Sequence, residues 1–465
     1  MRVMAGTKLS LPLALGASLL FGGPATAAEP AVNIEFERYK LANGLEVILH
    51  QDRSAPQIAV NVWYHVGSGN EVPGRSGFAH LFEHMMFQGA KHIGEDVHFD
   101  ILREIGGSGI NGTTNPDRTN YFEVVPSHHL ETALWLESDR MGYLLDLLNQ
   151  KSLENQQEVV RNERRQRYDN VPYGRERFAV AEALYPEGHP YRYLTIGRHE
   201  DLEAAKLEDV RAFFTTWYVP SNATLTIAGD VDPAVARKLV DKWFGTFPAL
   251  PRPETKVVTA PPLESTSRKE LDDPFARLRR VHYVWRSPAQ LADGDLELDV
   301  AAEVLGAGGW GRLHKKLIID LEVAQNVTVY QYGSGFSGEF HVIADLKPKA
   351  DMAEIESILR AEVERLTREP ITDAELRRCL LGTESGFIWG LEELMGRVER
   401  LQYFNHYTGD PGYTGKYLER LRAVTPAKVQ ATAAQWLTKG HAEIITVPAA
   451  KAGSAQAGAQ GGKQG

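Results

Sequence analysis

The chain of 465 residues contains a single cysteine, Cys379. That thiol alone excludes a disulfide within the chain and a zinc cage built from thiolates. An isolated cysteine in a helical context is a small core residue. A basic excess is also missing. Lysine and arginine number 51 against 61 aspartates and glutamates, giving a formal charge of -10. The footprint of a nucleic-acid binder is therefore absent. Beyond the N-terminus, no apolar run approaches the ~20 residues that span a membrane. The remainder, 43 % hydrophobic and 24 % charged, is the composition of a soluble globular protein. The length exceeds one ordinary core, so two or more domains are expected.

The N-terminus has the layout of a secretory signal. Arg2 and Lys8 form a positive flank, Leu9 to Phe21 is a short apolar run, and Ala25-Thr26-Ala27 is a small-residue cleavage site. Removal of residues 1–27 predicts a mature chain of charge -10 - 2 = -12, exported and periplasmic, with no membrane span left. At the other end, the Ala/Gly/Gln/Ser-rich residues 450–465 predict a disordered tail.

Between these ends the pattern is α+β. Residues 36–41 and 45–49 flank Asn43-Gly44 and predict a hairpin with a type I′ turn. Residues 58–64 predict a third strand and residues 119–126 an alternating one. Helices are expected at 97–105, 128–148, 153–167 and 207–217, with a strand at 223–228. Five prolines between Pro248 and Pro262 mark a linker. The pattern then restarts, with a strand at 281–285 and a helix at 296–305. Leu202, Val210 and Trp217 return as Leu421, Val429 and Trp436, and 421 - 202 = 429 - 210 = 436 - 217 = 219. A constant offset across a helix and the strand after it indicates an internal duplication. The expected architecture is two homologous halves, each an antiparallel β-sheet flanked by α-helices. The expected division is an N-terminal domain at 28–247, a linker at 248–265 and a C-terminal domain at 266–449.

The chemistry is concentrated in Gly77-Phe78-Ala79-His80-Leu81-Phe82-Glu83-His84-Met85-Met86-Phe87. On a helix, His80 and His84 lie at i and i+4, one turn apart on one face. Two imidazoles so placed can hold one zinc ion, and Glu83 can reach the same side as a base. The apolar neighbours bury the rest of such a helix and leave the polar trio facing a cleft. A catalytic zinc needs a third protein ligand from another element. Spacing does not choose among Glu154, Glu158 and Glu163. The second half has no histidine pair at i, i+4 and no counterpart of Glu163. His128-His129 predicts a solvated pair. His65, His92 and His98 predict structural roles. Arg161, Arg164, Arg165 and Arg167 predict a charged helix face that could hold carboxylates near the site.

The run from Val66-Gly67-Ser68-Gly69-Asn70-Glu71 to Phe87 resembles the signature of the pitrilysin, or insulinase, family of zinc metallopeptidases. It is most similar to the short branch that resembles mitochondrial processing peptidase. Glu158-Val159-Val160-Arg161-Asn162-Glu163-Arg164-Arg165 resembles the segment that carries the family's third ligand, which implies Glu163. The resemblance implies a zinc endopeptidase with ligands His80, His84 and Glu163 and with Glu83 as the base. It implies an edge strand that pairs with a peptide substrate, with Asn111, Gly112 and Thr114 as contacts; the family usually has Asn-Ala at its start. Gln156 stands where the family often has a glutamate. Ile318 and Gln325 stand where complete members carry a substrate-binding arginine and tyrosine. The resemblance therefore implies a dimeric chamber in which a homologous partner chain supplies that pair, a heterodimer ahead of a homodimer. Oligopeptides or unfolded segments are the expected substrates. The alternative is a non-catalytic assembly or binding subunit. The Gly306–Gly311 loop resembles the family's glycine-rich region, though a flexible helix-to-helix turn is the favoured reading.

Overall fold

The structure is a computed structural model that describes residues 32–449. The expected signal peptide at 1–27 and the tail at 450–465 lie outside the described residues. No described helix is long and apolar enough to cross a membrane.

Two sheets form the framework. The first contains β1 (Glu37–Lys40), β2 (Glu46–Gln51), β3 (Gln57–Tyr64), β4 (Ser108–Thr114), β5 (Thr119–Pro126) and β6 (Ala223–Gly229), in the order β1-β2-β6-β3-β5-β4. The second contains β7 (Ser267–Asp273), β8 (Arg279–Ser287), β9 (Ala324–Gly333), β10 (Gly338–Leu346) and β11 (Ala442–Pro448), in the order β7-β11-β8-β10-β9. The two orders match strand for strand once β1 is set aside. Pairing is antiparallel except for one parallel pair in each sheet, β2 with β6 and β7 with β11. The duplication explains why the exception recurs. Strand β6 starts at 223 and β11 at 442, again 219 apart.

The Asn43-Gly44 hairpin is present, but its turn is wider than a type I′ loop. Lys40 pairs with Glu46, which leaves residues 41–45 in the connection. The cause is Asn43, whose amide is buried and donates to the Phe244 carbonyl at 2.7 Å instead of closing a tight turn.

Five helices matter for the site and its support: α1 (Phe78–Met85), α2 (Val97–Glu104), α3 (Leu130–Leu147), α4 (Gln150–Arg164) and α5 (Glu176–Leu184). The inner face of the first sheet packs Val47, Leu49, Val60 and Val62 into the main core with α1 and α3. Its other face is covered by a helix from the second half, Leu394–Thr408. Leu394 and Val398 pack on Ala59 and Ala228, and Leu401 packs on Ile48. In return, α5 leaves the first half and lays Ala179, Val180 and Leu184 on Val284, Ala442 and Ile444 of the second sheet. The halves thus exchange one helix each and form one compact unit. Buried polar bonds accompany the exchange. Gln402 donates to the Asn61 and Thr224 carbonyls at 3.1 and 2.9 Å, and Asn405 donates to Glu46 at 2.6 Å.

Candidate active site

Helix α1 begins against an unusual cap. Its N-cap is Gly77, at φ 86°, and a β-carbon there would lie 2.8 Å from the Gly197 Cα. Glycine alone has both the left-handed freedom and the room. With no side chain at the N-cap, Glu71 supplies the acceptors. Its two oxygens take the Gly77 and Ala79 amides at 3.0 and 2.8 Å. A carboxylate satisfies the orphan N–H groups and sits at the positive end of the helix. Burial works against it and pushes the Glu71 carboxyl up to about 8. The apolar faces of α1 are fixed by aromatic packing, with the Phe82 ring tilted against Tyr218 and Phe213 at centroid distances of 4.3 and 5.6 Å.

This leaves His80, Glu83 and His84 on the open face, partly exposed. The histidine rings meet edge to face, 4.9 Å between centroids. Helix α4 runs alongside and presents Glu163 from its last turn. Glu163 Oε2 lies 3.6 Å from His80 Nε2 and 3.5 Å from His84 Nε2. The structure thus brings Glu163 to the pair and leaves Glu154 and Glu158 exposed elsewhere on the helix. Immediately beyond, residues Arg165–Asp169 widen into a π-helical turn. That turn brings Arg167 back onto the other Glu163 oxygen at 2.6 Å, as the charged face allowed.

Donor spacing is a test of whether a metal fits. Tetrahedral ligands about 2.0–2.1 Å from zinc stand about 3.3 Å apart. The two observed separations are close to that, and all three donors fall within 4.8 Å of one another. The protonation state of His80 suits a cation. Burial, with His84 beside it, lowers His80 to about 4, so its imidazole is neutral and free to coordinate. Burial would also lower His84, but its hydrogen bond to Glu163 and the nearby Glu83 charge hold it above the usual value. Glu163 resists its own burial and is held low by His84, His80 and Arg167. The three donors fit a divalent metal. Their supports are unequal: His84 Nδ1 meets Gln156 Oε1 at 3.3 Å, whereas the buried His80 Nδ1 has no partner.

Glu83 lines the same cleft, which holds about 470 Å³. Burial raises its carboxyl, which suits a group that must accept a proton and pass it on. Its Oε2 accepts a 2.6 Å hydrogen bond from Thr114 Oγ1. Strand β4 forms one wall, with Asn111 exposed and Gly112 buried. A β-carbon at Gly112 would come within 3.1 Å of the Glu83 side chain and 3.2 Å of Phe87. β4 is the last strand of its sheet, so its outer edge has no strand partner among the described residues. All three expected strand contacts, Asn111, Gly112 and Thr114, line the cleft, and the Thr114 hydroxyl is committed to Glu83. Phe99 and Asp96 also line the cleft. No sequence signal marked them, because they reach it only through the packing of α2.

A second group of metal-type donors, His98, Glu123 and Glu137, lies buried behind Phe87. Its charge is already balanced by Arg140, which holds Glu137 through two nitrogens. His92 bonds Asp139 at 2.5 Å, and His65 bonds His406 at 2.8 Å, so both are structural. Ile318 sits on a π-helical turn and Gln325 on β9, neither of them in the metal cleft.

Fold and donor set together define a protein of the inverted-zincin type. Residues 46–185 match the model of the insulinase family, peptidase family M16, and residues 204–381 match the model described as the peptidase M16 inactive domain. The chain belongs to that family. It is 28 % identical over 362 residues to the zinc protease PqqE of Helicobacter pylori, spanning 77 % of this chain and 80 % of that one. It is 24 % identical over 418 residues to the uncharacterized zinc protease YmxG of Bacillus subtilis, spanning 89 % and 98 %. The crystal structure of a protease from Helicobacter pylori superposes with a TM-score of 0.83 at 26 % identity, covering 90 % of this chain and all of that one.

Proposed function

We propose that the chain is a zinc-dependent endopeptidase. The observation that carries this is the convergence of His80, His84 and Glu163 from two helices at zinc-compatible spacing, with Glu83 in the same cleft. A bound zinc ion would supply Lewis acidity toward water and toward a scissile carbonyl. Glu83, held by Thr114, takes the proton of the attacking water and delivers it to the leaving amine. Arg167 and Gln156 fix Glu163 and His84 in their orientations. The free edge of β4 pairs with the substrate backbone, and Asn111 and Gly112 border the peptide. Main-chain pairing reads backbone more than side chains, which suits oligopeptides or unfolded segments of varied sequence.

The second half carries no comparable donor set among the described residues. Ile318 and Gln325 cannot donate as an arginine and a phenol would. These features support a dimeric chamber in which a homologous chain supplies the missing pair. The basic, apolar and small-residue layout of the N-terminus supports export to the periplasm.

The test is metal content and cleavage of a quenched fluorescent peptide on the same sample. One zinc per chain with chelator-sensitive cleavage is expected, from this chain alone or after addition of its partner. A chain that binds no stoichiometric metal would instead be a non-catalytic subunit.

A further inference from the structure

The metal-free half reaches the hairpin beside the site through Glu399, which accepts from Asn120 at 3.2 Å, and through the turn that the duplication sets opposite it. The β4–β5 turn occupies residues 115–118 and the β9–β10 turn residues 334–337. The offset is again 219, since 334 - 115 = 337 - 118 = 219. The equivalent turns of the two halves therefore meet each other, and Asp117 is the junction. Its Oδ1 accepts from the Tyr191 hydroxyl at 2.7 Å. Its Oδ2 accepts from the Tyr407 hydroxyl at 2.7 Å and from the Gly335 amide at 2.9 Å. Tyr407 lies on the exchanged helix and Gly335 in the opposing turn, so two of the three donors come from the second half. The Tyr191 hydroxyl in turn accepts from the Phe336 amide at 3.0 Å. No lysine or arginine pairs with Asp117 among the described residues, so neutral donors alone serve its charge.

The held turn leads directly to the chemistry. The Asn115 and Pro116 carbonyls accept from the Ser68 and Gly69 amides at 3.1 and 2.7 Å. That segment continues to Glu71 and the start of α1. On the other side, the turn closes β4 one residue after Thr114, whose hydroxyl holds Glu83. The second half can therefore act on the base without contributing a ligand.

We propose that Asp117 is a positioning residue through which the metal-free half holds the β4–β5 hairpin and, by way of Thr114, sets the orientation of the Glu83 carboxylate. This rests on the peptidase reading above. An aspartate accepts from all three neighbours at once, whereas an asparagine keeps one acceptor oxygen and places an NH2 at the other position, so at least one of these bonds is lost or reversed.

The experiment is a double-mutant cycle on the full chain with a quenched fluorescent peptide. Asp117→Asn and Thr114→Val should each lower kcat by about 10- to 100-fold, the range expected when a reacting group is slightly misplaced. KM and zinc content should stay near wild type. The double variant should be no slower than the slower single variant, because both act through one bond. Thr114→Ser, which keeps the hydroxyl, should restore most of the rate. Losses that multiply would overturn the proposal, as would an Asp117→Asn variant that changes only KM, zinc content or Tm. Should Asp117→Asn not fold, Tyr407→Phe removes one of its bonds and should lower kcat in the same pattern; an unchanged kcat there would also overturn it. Wild type that binds no stoichiometric zinc refutes the peptidase reading instead, whereas zinc without cleavage marks a chain that needs its partner. The hairpin claim is then decided by hydrogen exchange, where Tyr407→Phe should speed exchange of the β4 amides several-fold. Unchanged protection would overturn it.

Discussion

Replacing Gln156 by glutamate should tighten metal binding, and the structure gives a magnitude. Gln156 is buried, and its Oε1 stands 3.3 Å from His84 Nδ1. At that length a neutral hydrogen bond contributes about 0.5–1 kcal/mol. A carboxylate in the same place makes a charge-assisted bond about twice as strong. It also raises the basicity of the opposite ring nitrogen, which faces Glu163. A gain of about 1 kcal/mol corresponds to about fivefold in affinity. Without metal the new charge is unwelcome, because Glu83 and Glu163 already share the cleft. Gln156→Glu should therefore lower the Tm of the metal-free protein while increasing the rise in Tm on adding zinc. Gln156→Leu, with no acceptor, should bind zinc several-fold more weakly than wild type. The assay is competition for zinc against a chromogenic chelator, with thermal melts of both forms. A Gln156→Glu variant that binds zinc no more tightly than wild type would refute the reasoning. So would a Gln156→Leu variant that binds it equally well.

Leu401→Ala should cost about 2–5 kcal/mol of stability, because it opens a cavity between the exchanged helix and the first sheet; chemical denaturation measures this. Gly112→Val should abolish cleavage while keeping zinc, since its first side-chain carbon already meets Glu83 and Phe87 at 3.1 and 3.2 Å; parallel rate and metal assays check it. Glu375 is held down to about 2 by Arg312 and the Thr372 cap, against the pull of burial. A depressed carboxylate stabilises the fold above its unfolded pKa and loses that contribution as pH falls. The Tm difference between wild type and Glu375→Gln should therefore be full at pH 7, shrink below about pH 4.5 and close near pH 2.

The duplication could be read from sequence because Leu202, Val210 and Trp217 kept their spacing in the second half. The metal helix was equally visible, since His80 and His84 need only local geometry to share a face. Glu163 was not singled out by spacing, because which of three glutamates on one helix faces the cleft depends on how α4 packs on α1. The helix exchange was hidden for a related reason. The apolar faces of α5 and of Leu394–Thr408 require a sheet, but their periodicity does not say which one. The resemblance of its strand to the family's substrate-pairing strand implies Thr114 as a substrate contact; its bond to Glu83 depends on the side chain's rotamer, which the sequence does not show. The wider turn at Asn43 arose from a partner 201 residues away, beyond any local turn rule.

The central claim is that His80, His84 and Glu163 hold the metal while Glu83 moves the proton. It is tested most directly by the Glu83→Gln variant, with zinc content and peptide cleavage measured on one preparation, beside wild type under conditions in which wild type cleaves. The account predicts one zinc per chain, as in wild type, and a rate lower by about two or more orders of magnitude. Near-normal turnover, or loss of the metal along with the activity, would contradict it.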